Sequence, residues 1–272
     1  MTDKDPGHAG YGGQAHGRHP SSPVMTLQAR YKDWYATVEI YSDRNLTFPR
    51  DKLPALSGYA HKMHETIGGA YYAGLWRNDL RNGLLWHSQW SARKAPVSRP
   101  SSWSWASIDG GIGHLGTWED RYRCKIISCS VTLSTDDPMG EVTSGTLVIA
   151  GILTAAECKK DKTPFSPPSL YVTSDQPHDP GTSGPQNTRS TDSENEIGTI
   201  VKRECKLGDC QFDIEDQYII QRRVWCLSIA GDCDIVLEPV ARKEGVYRRI
   251  GSFQWVKDTK GYLGPITTVT II

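Results

Sequence analysis

Near residue 90 the hydrophobic rhythm of this chain changes from one period to another, and that change limits the folds open to it. Before it, Leu27, Tyr31, Trp34, Val38 and Tyr41 recur at spacings of four and three, which puts them on one helical face. A second stripe, Leu53, Leu56, Ala60, Met63 and Ile67, has Asp51 as its N-cap candidate and Gly68-Gly69 as its stop. A third, Ala73, Trp76, Leu80 and Leu84, predicts a third helix. After Trp90 alternation takes over. In KIISCSVTL, Ile127, Cys129, Val131 and Leu133 are expected on one side of a strand and Ser128, Ser130 and Thr132 on the other. The turn DDPMGE then leads to GTLVIAGIL, the expected hairpin partner. Further strands are predicted at 224–229, 235–240, 246–255 and the terminal ITTVTII. The fold class read from this is α+β: amino-terminal amphipathic helices packed on a mostly antiparallel β-rich carboxyl-terminal part, in sheet or sandwich form.

The expected divisions are a disordered tail over 1–24, a helical region over 25–90, a Trp-rich connecting segment over 91–121 and a β-rich domain over 122–272. That domain carries an insertion over 160–196, rich in Pro and Ser, which reads as disordered. The tail, MTDKDPGHAGYGGQAHGRHP at its start, is too poor in apolar residues to offset backbone ordering, and His8, His16 and His19 are not at chelating intervals. The chain balances 31 basic against 31 acidic residues and has no run of five like charges, so it lacks the electrostatic footprint of a nucleic-acid binder. No apolar stretch reaches the length that spans a bilayer and no leader is visible, which gives an expected cytoplasmic location. The odd count of 7 cysteines points to reduced thiols.

Several motifs invite chemistry. Gly111-Ile-Gly113-His-Leu-Gly116 is a literal GxGxxG, but SSWSWASID precedes it instead of an aliphatic strand and no apolar helix follows, so it reads as a flexible turn. His61 and His64, beside Glu65, have the wrong order for a zinc-protease helix. Cys205 and Cys210 bracket what reads as a turn, and with Cys226 or Cys233 form a zinc candidate. Cys124 and Cys129 are expected on opposite faces of a strand. Glu119 with Asp120, and Asp213 with Glu215 and Asp216, are carboxylates without evidence of a shared cleft. Ser57 lacks the glycine of a nucleophile elbow. No cofactor motif, metal set or catalytic constellation emerges, and the chain reads as non-enzymatic. The densest feature is Trp86, Trp90, Trp103, Trp105 and Trp118. These rings serve either as a stacking platform for a sugar or base, or as a hinge where helices and sheet bury large side chains, and the hinge is the preferred reading.

At these residues the chain resembles a known family. The run 34–58, WYATVEIYSDRNLTFPRDKLPALSG, carries Trp34, Tyr41, Ser42, Leu46, Thr47, Asp51, Lys52, Leu56 and Gly58. It is followed in order by Gly74-Leu75-Trp76, Leu85-Trp86, and Pro100, Ser102, Trp103, Ser104, Trp105 and Ala106. Together with Gly145-Thr-Leu-Val-Ile-Ala-Gly151 and Tyr247-Arg-Arg-Ile-Gly251, these segments resemble the region behind the conserved block of fungal heterokaryon incompatibility (HET) domain proteins. The resemblance implies a role in non-self recognition and its associated cell death. The family's amino-terminal Leu-Ser-Tyr-x-Trp-Gly and Asp-x-Leu-Cys-Ile type segments have no counterpart, so the chain is expected to correspond to a carboxyl-terminal piece. Its helical stripes would then be exposed and would seat a protein partner, such as a HET block in trans. The reading from another class is a carbohydrate-binding β-sandwich using surface tryptophans, with a hydrolase behind it.

Overall fold

The structure, a computed structural model, describes residues 26–89, 92–96, 99, 101–116, 122–160, 167–176, 201–214, 222–255 and 264–272. The expected tail over 1–24, most of the insertion, and Trp90, Pro100, Trp118, Glu119, Asp120, Glu215 and Asp216 lie outside these residues. Helix α1 spans Leu27–Ser42, and the Thr26 hydroxyl caps it by accepting from the Ala29 N–H at 3.2 Å. Helix α2 spans Pro54–Ile67 and ends at Gly68, whose φ of 67° suits the left-handed position past a helix end. Asp51 is not its cap: it sits in a separate 3-10 turn, Pro49–Lys52.

The third predicted helix is replaced by a tight hairpin of β1 (Tyr71–Tyr72) and β2 (Leu75–Trp76), followed by one helical turn, α3 (Leu80–Gly83). The two-residue loop between the strands puts Ala73 at φ 47° and Gly74 at φ 95°, as a primed hairpin turn requires. Ala73 through Trp76 are all buried, and an apolar run covered on every side carries no reliable period. Short strands β3 (Trp86–Ser88), β4 (Arg93–Lys94), β5 (Ile108–Asp109) and β6 (Ile112–His114) then pair as β3–β6 and β4–β5.

The large sheet is built from β7 (Cys124–Leu133), β8 (Val142–Lys159), β9 (Ser169–Gln176), β10 (Val201–Phe212), β11 (Arg222–Ala230), β12 (Cys233–Pro239), β13 (Val246–Trp255) and β14 (Ile266–Ile271). The expected hairpin forms between β7 and β8. Strand β9, however, lies inside the segment read as a disordered insertion, because Ser169-Leu-Tyr-Val-Thr-Ser supplies alternating β-formers directly after Pro167-Pro168. The antiparallel pairings β8–β9, β9–β10, β10–β13, β13–β12, β12–β11 and β11–β8 return to their starting strand. The sheet is therefore a closed six-stranded barrel instead of a sandwich, with β7 and β14 extending it along the first half of β8.

Cross-strand partners Val224 with Ala156, Cys226 with Val236, and Cys210 with Phe253 point to one side and fill the barrel. The opposite faces of β8, β11 and β12, through Leu147, Ile149, Leu227, Ile229, Ile235 and Leu237, join a second core that includes Trp34, Trp76, Trp86, Trp103 and Trp105. Helix α1 packs chiefly on α2 and β6, whereas β1, β3 and α3 meet the strands of the large sheet. A middle layer of short elements thus separates the two longer helices from the barrel.

Two bulges overturn simple alternation. In β7 the register slips between Ile126 and Ser128, so Ile127 is 51% exposed while Ile126 turns inward. Cys124 and Cys129, expected on opposite faces, consequently both pack on the same core. In β10 a slip between Lys206 and Gly208 does the same for Cys205 and Cys210: both adjoin the barrel core, on an extended strand and not around a turn.

Candidate functional site

Several of the residues that carry the resemblance gather at one turn. The Gly74 carbonyl accepts the indole N–H groups of both Trp34 (3.2 Å) and Trp105 (3.1 Å), and the Ser104 hydroxyl donates to the neighbouring Ala73 carbonyl at 2.5 Å. A Cβ on Gly74 would collide with the Trp105 indole, so both the left-handed backbone and the contact call for glycine. Trp76 closes on Trp34 edge to face at 5.4 Å. Behind the turn, the Lys52 ammonium donates to the Ser42 carbonyl (3.1 Å) and lies about 6 Å from the Tyr41 and Trp105 rings. Burial lowers its pKa to about 8. Tyr41 donates to the Lys52 carbonyl and Ser42 accepts the Ile112 N–H. Leu56, Leu75, Leu85 and Ala106 are buried in the same core, whereas Thr47 and Gly58 are exposed and Leu46 and Asp51 half-buried.

Trp86, Trp103 and Ser102 form a second knot around Arg249. The Arg249 side chain is fully buried and holds Asp213 bidentately, Nε to Oδ2 at 3.0 Å and Nη2 to Oδ1 at 3.2 Å. It also donates to the Leu84 and Trp86 carbonyls and stacks at 3.6 Å on the Trp86 ring. Trp86 in turn donates to the Trp103 carbonyl at 3.0 Å. The Ser102 hydroxyl accepts the Arg249 N–H and donates to the Ile272 carbonyl. Burial pushes the Asp213 carboxyl up while Arg249 opposes the shift. Both carboxylate oxygens of Asp213 are thus committed to one guanidinium.

A cleft of about 630 Å³ opens beside this pair. One wall, with Lys94, Pro96, Arg99 and Ile108, comes from the short-strand layer, and the other, with Arg248, Ile250 and Glu238, from the barrel. Arg99 spends its donors on the Pro49, Ala106 and Ile108 carbonyls and on Asp109 at 2.6 Å.

Of the tryptophans read as either a stacking platform or a hinge, Trp86, Trp103 and Trp105 are at most 1% exposed, and Trp90 and Trp118 lie outside the described residues. The stripes expected to seat a partner are mostly covered by the chain itself: Tyr31, Trp34, Val38 and all of Leu53, Leu56, Ala60, Met63 and Ile67 are buried, whereas Tyr41 is half-buried and Leu27 is 47% exposed. Among the described residues no group of three or more His, Cys, Asp or Glu side chains is placed to hold a metal ion. His61 reaches Asp137 in the β7–β8 turn at 2.8 Å, and His64 stacks on Trp76, so the two imidazoles have different tasks. Ser57 also bonds Asp137, whose carboxyl is held low first by the Met139 N–H. The GxGxxG run is not a flexible turn. Ile112–His114 is strand β6, and Gly113 is required because a Cβ there would strike the His87 ring opposite.

Sequence reasoning missed one polar cluster. The His114 Nε2–H donates to the Asn82 carbonyl at 2.6 Å, Nδ1 accepts the Gly116 N–H at 3.1 Å, and the ring stacks at 3.8 Å on Tyr35. Burial lowers the imidazole to about 4, and with both nitrogens engaged it is a structural group. Tyr35 donates to Asp79 at 2.5 Å. Nothing in the spacing of Tyr35, Asp79 and His114 announces their meeting. No protein family, curated protein or solved structure matches the chain.

Proposed function

We propose that this chain is a non-catalytic interaction module of the cytoplasm, related to the carboxyl-terminal region of HET proteins, which engages a protein partner in non-self recognition and its associated cell death. The observation that carries the reading is the cleft beside Arg249. It is open, it is walled by both halves of the molecule, and the side-chain carboxylates lining it among the described residues, Asp213 and Glu238, face arginines. A surface of that kind favours binding over acid–base chemistry, which needs a group free to exchange a proton. Because the helical stripes are mostly covered, the partner surface moves from the helices to this cleft. A HET block supplied by another chain is the proposed occupant.

The test is association. A purified HET block titrated into this chain should form a complex by light scattering, with hydrogen-exchange protection at β4 and β13. Absence of a complex at tens of micromolar, roughly the weak end of specific recognition, would sink the reading.

A further inference from the structure

Strand β7 is an open edge of the large sheet. One side of it pairs with β8 along its length, but beyond the bridge from Tyr122 to Ala230 no strand among the described residues pairs with its outer side. A row of free N–H and C=O groups is a template for another strand, and natural edges are blunted against it by charges, prolines or bulges. In β7 those devices sit at the amino end, with Lys125 and the bulge at Ile127. From Ser128 to Leu133 the sequence is SCSVTL, without charge, proline or glycine. The second register slip puts its extra residue, Thr143, on β8, so β7 itself runs regularly there. The Ser134 N–H donates to the Glu141 carbonyl at 2.9 Å, and the Thr132 carbonyl accepts from the Thr143 hydroxyl at 3.1 Å. By alternation the backbone groups of Cys129, Val131 and Leu133 turn away from β8, toward the open side.

Two charges fix which strand fits. Lys125 near the start of β7 and Asp136 just past its end are both exposed, and neither has an ion-pair partner among the described residues. We propose that β7 is a homodimer seam, pairing antiparallel with β7 of a second copy about a two-fold axis at Ser130. In that register Cys129 faces Val131 of the second copy and exchanges both backbone hydrogen bonds with it, Ser128 faces Thr132, and Ser130 faces itself. Half-buried side chains thus meet half-buried ones and exposed hydroxyls meet exposed hydroxyls. Lys125 of each copy comes beside the Asp136 turn of the other, so opposite charges meet at both ends. A parallel or shifted pairing loses that match, whereas a second copy supplies the reversed charge order by symmetry. The zero net charge of the chain adds no long-range repulsion between copies. None of the residues lining the cleft lies on β7, so the seam is independent of the proposed partner site.

Sedimentation velocity on the full chain, from about 1 to 300 micromolar, tests it; a seam this short should dimerise at roughly tens of micromolar. Ser130→Lys sets two ammonium groups face to face on the axis and should leave the protein monomeric over that range, with an unchanged far-UV circular dichroism spectrum because Ser130 is exposed. Lys125→Asp should weaken the dimer about tenfold or more, since both symmetric pairs become repulsions, and Asp136→Lys should do the same. The double variant reverses the charge order and should restore the dimer. Such recovery has no source within one copy, where the length of the strand holds the two positions roughly 25 Å or more apart. A chain that stays monomeric at the highest concentration, a dimer indifferent to Ser130→Lys, or a double variant that recovers nothing overturns the seam.

Discussion

The two cores of the molecule are built from different materials. The core at the junction of the short elements and the barrel contains five fully buried tryptophans, whereas the barrel interior is packed with cysteine, valine, leucine, isoleucine and alanine around two phenylalanines. Geometry explains the contrast. Six strands close on a narrow interior where regular, opposed positions take small and β-branched side chains. The junction instead joins two-residue strands, turns and loops at unequal separations, and wide flat rings bridge such gaps. Their N–H groups find backbone carbonyls in three cases, at Trp34, Trp86 and Trp105, while those of Trp76 and Trp103 stay unpaired. High tryptophan density here marks a seam between irregular segments, not an open platform.

Breaking the seam's ion pair should have the largest effect. Arg249→Met leaves Asp213 buried without its counter-ion and the Leu84 and Trp86 carbonyls without a donor, and should cost about 3–5 kcal/mol by urea unfolding. Adding Asp213→Leu should recover a large part, because an apolar pair of similar volume removes the stranded charge. If Arg249→Met costs no more than a barrel-core truncation, the claim that polar anchoring distinguishes the junction is wrong.

Gly74→Ala comes next. It forces a side chain into the left-handed region and against the Trp105 indole, for roughly 2–4 kcal/mol. Tryptophan emission should shift to the red as Trp34 and Trp105 lose their shared carbonyl, a readout that separates this from general destabilisation.

These two sites also show what could be read in advance. The helical periods at 27–41 and 53–67 and the hairpin at KIISCSVTL followed by GTLVIAGIL were legible because each element has one wet face and one dry face. The third stripe failed where Ala73 to Trp76 are dry on all sides. Barrel closure was illegible because it depends on β9 and β10, whose partners lie up to 47 residues away in the chain, Gly208 opposite Trp255. The facing of Ile127, Cys129 and Cys205 turned on bulges, and one inserted residue inverts every side chain beyond it. Sequence proximity also hid the cleft: Lys94 and Arg248 come from separate elements, and neither carries a local motif.

In the barrel a gentler response is expected. Cys210→Ala should cost only about 1–2 kcal/mol, because it removes one sulfur from a core of small groups that can partly close around the space. Burial pushes the Cys158 thiol up to about 11 and those of Cys210 and Cys226 well above their ordinary value. Native protein should therefore label at these positions only as fast as the barrel opens, and labelling at the rate of a free thiol would show that the barrel is not closed.

The smallest effects, on the order of 1–2 kcal/mol each once residual hydration is discounted, distinguish the two regions by opposite slopes with pH. At the barrel end, Asp234 accepts from the Ser228 hydroxyl, the Ile229 N–H and the Trp255 indole, yet burial dominates and raises it to about 6. Between its ordinary value and pH 6 the folded state holds the extra proton, so this group's contribution to stability falls as pH rises through that window. At the junction, Lys52 is lowered to about 8, and the unfolded chain holds the extra proton from there up to the ordinary lysine value. Its contribution therefore rises with pH above about 8. His114, lowered to about 4, acts against Asp234 in the acidic window, so the slope of the unmodified protein alone does not isolate either group. Differences do: subtracting Asp234→Asn should remove a falling component between about pH 4 and 6, and subtracting Lys52→Met a rising one above about pH 8. Urea midpoints across pH 4–10 measure both, and a Lys52→Met difference that is flat through the alkaline range would show that the ammonium reaches water, contrary to a sealed junction.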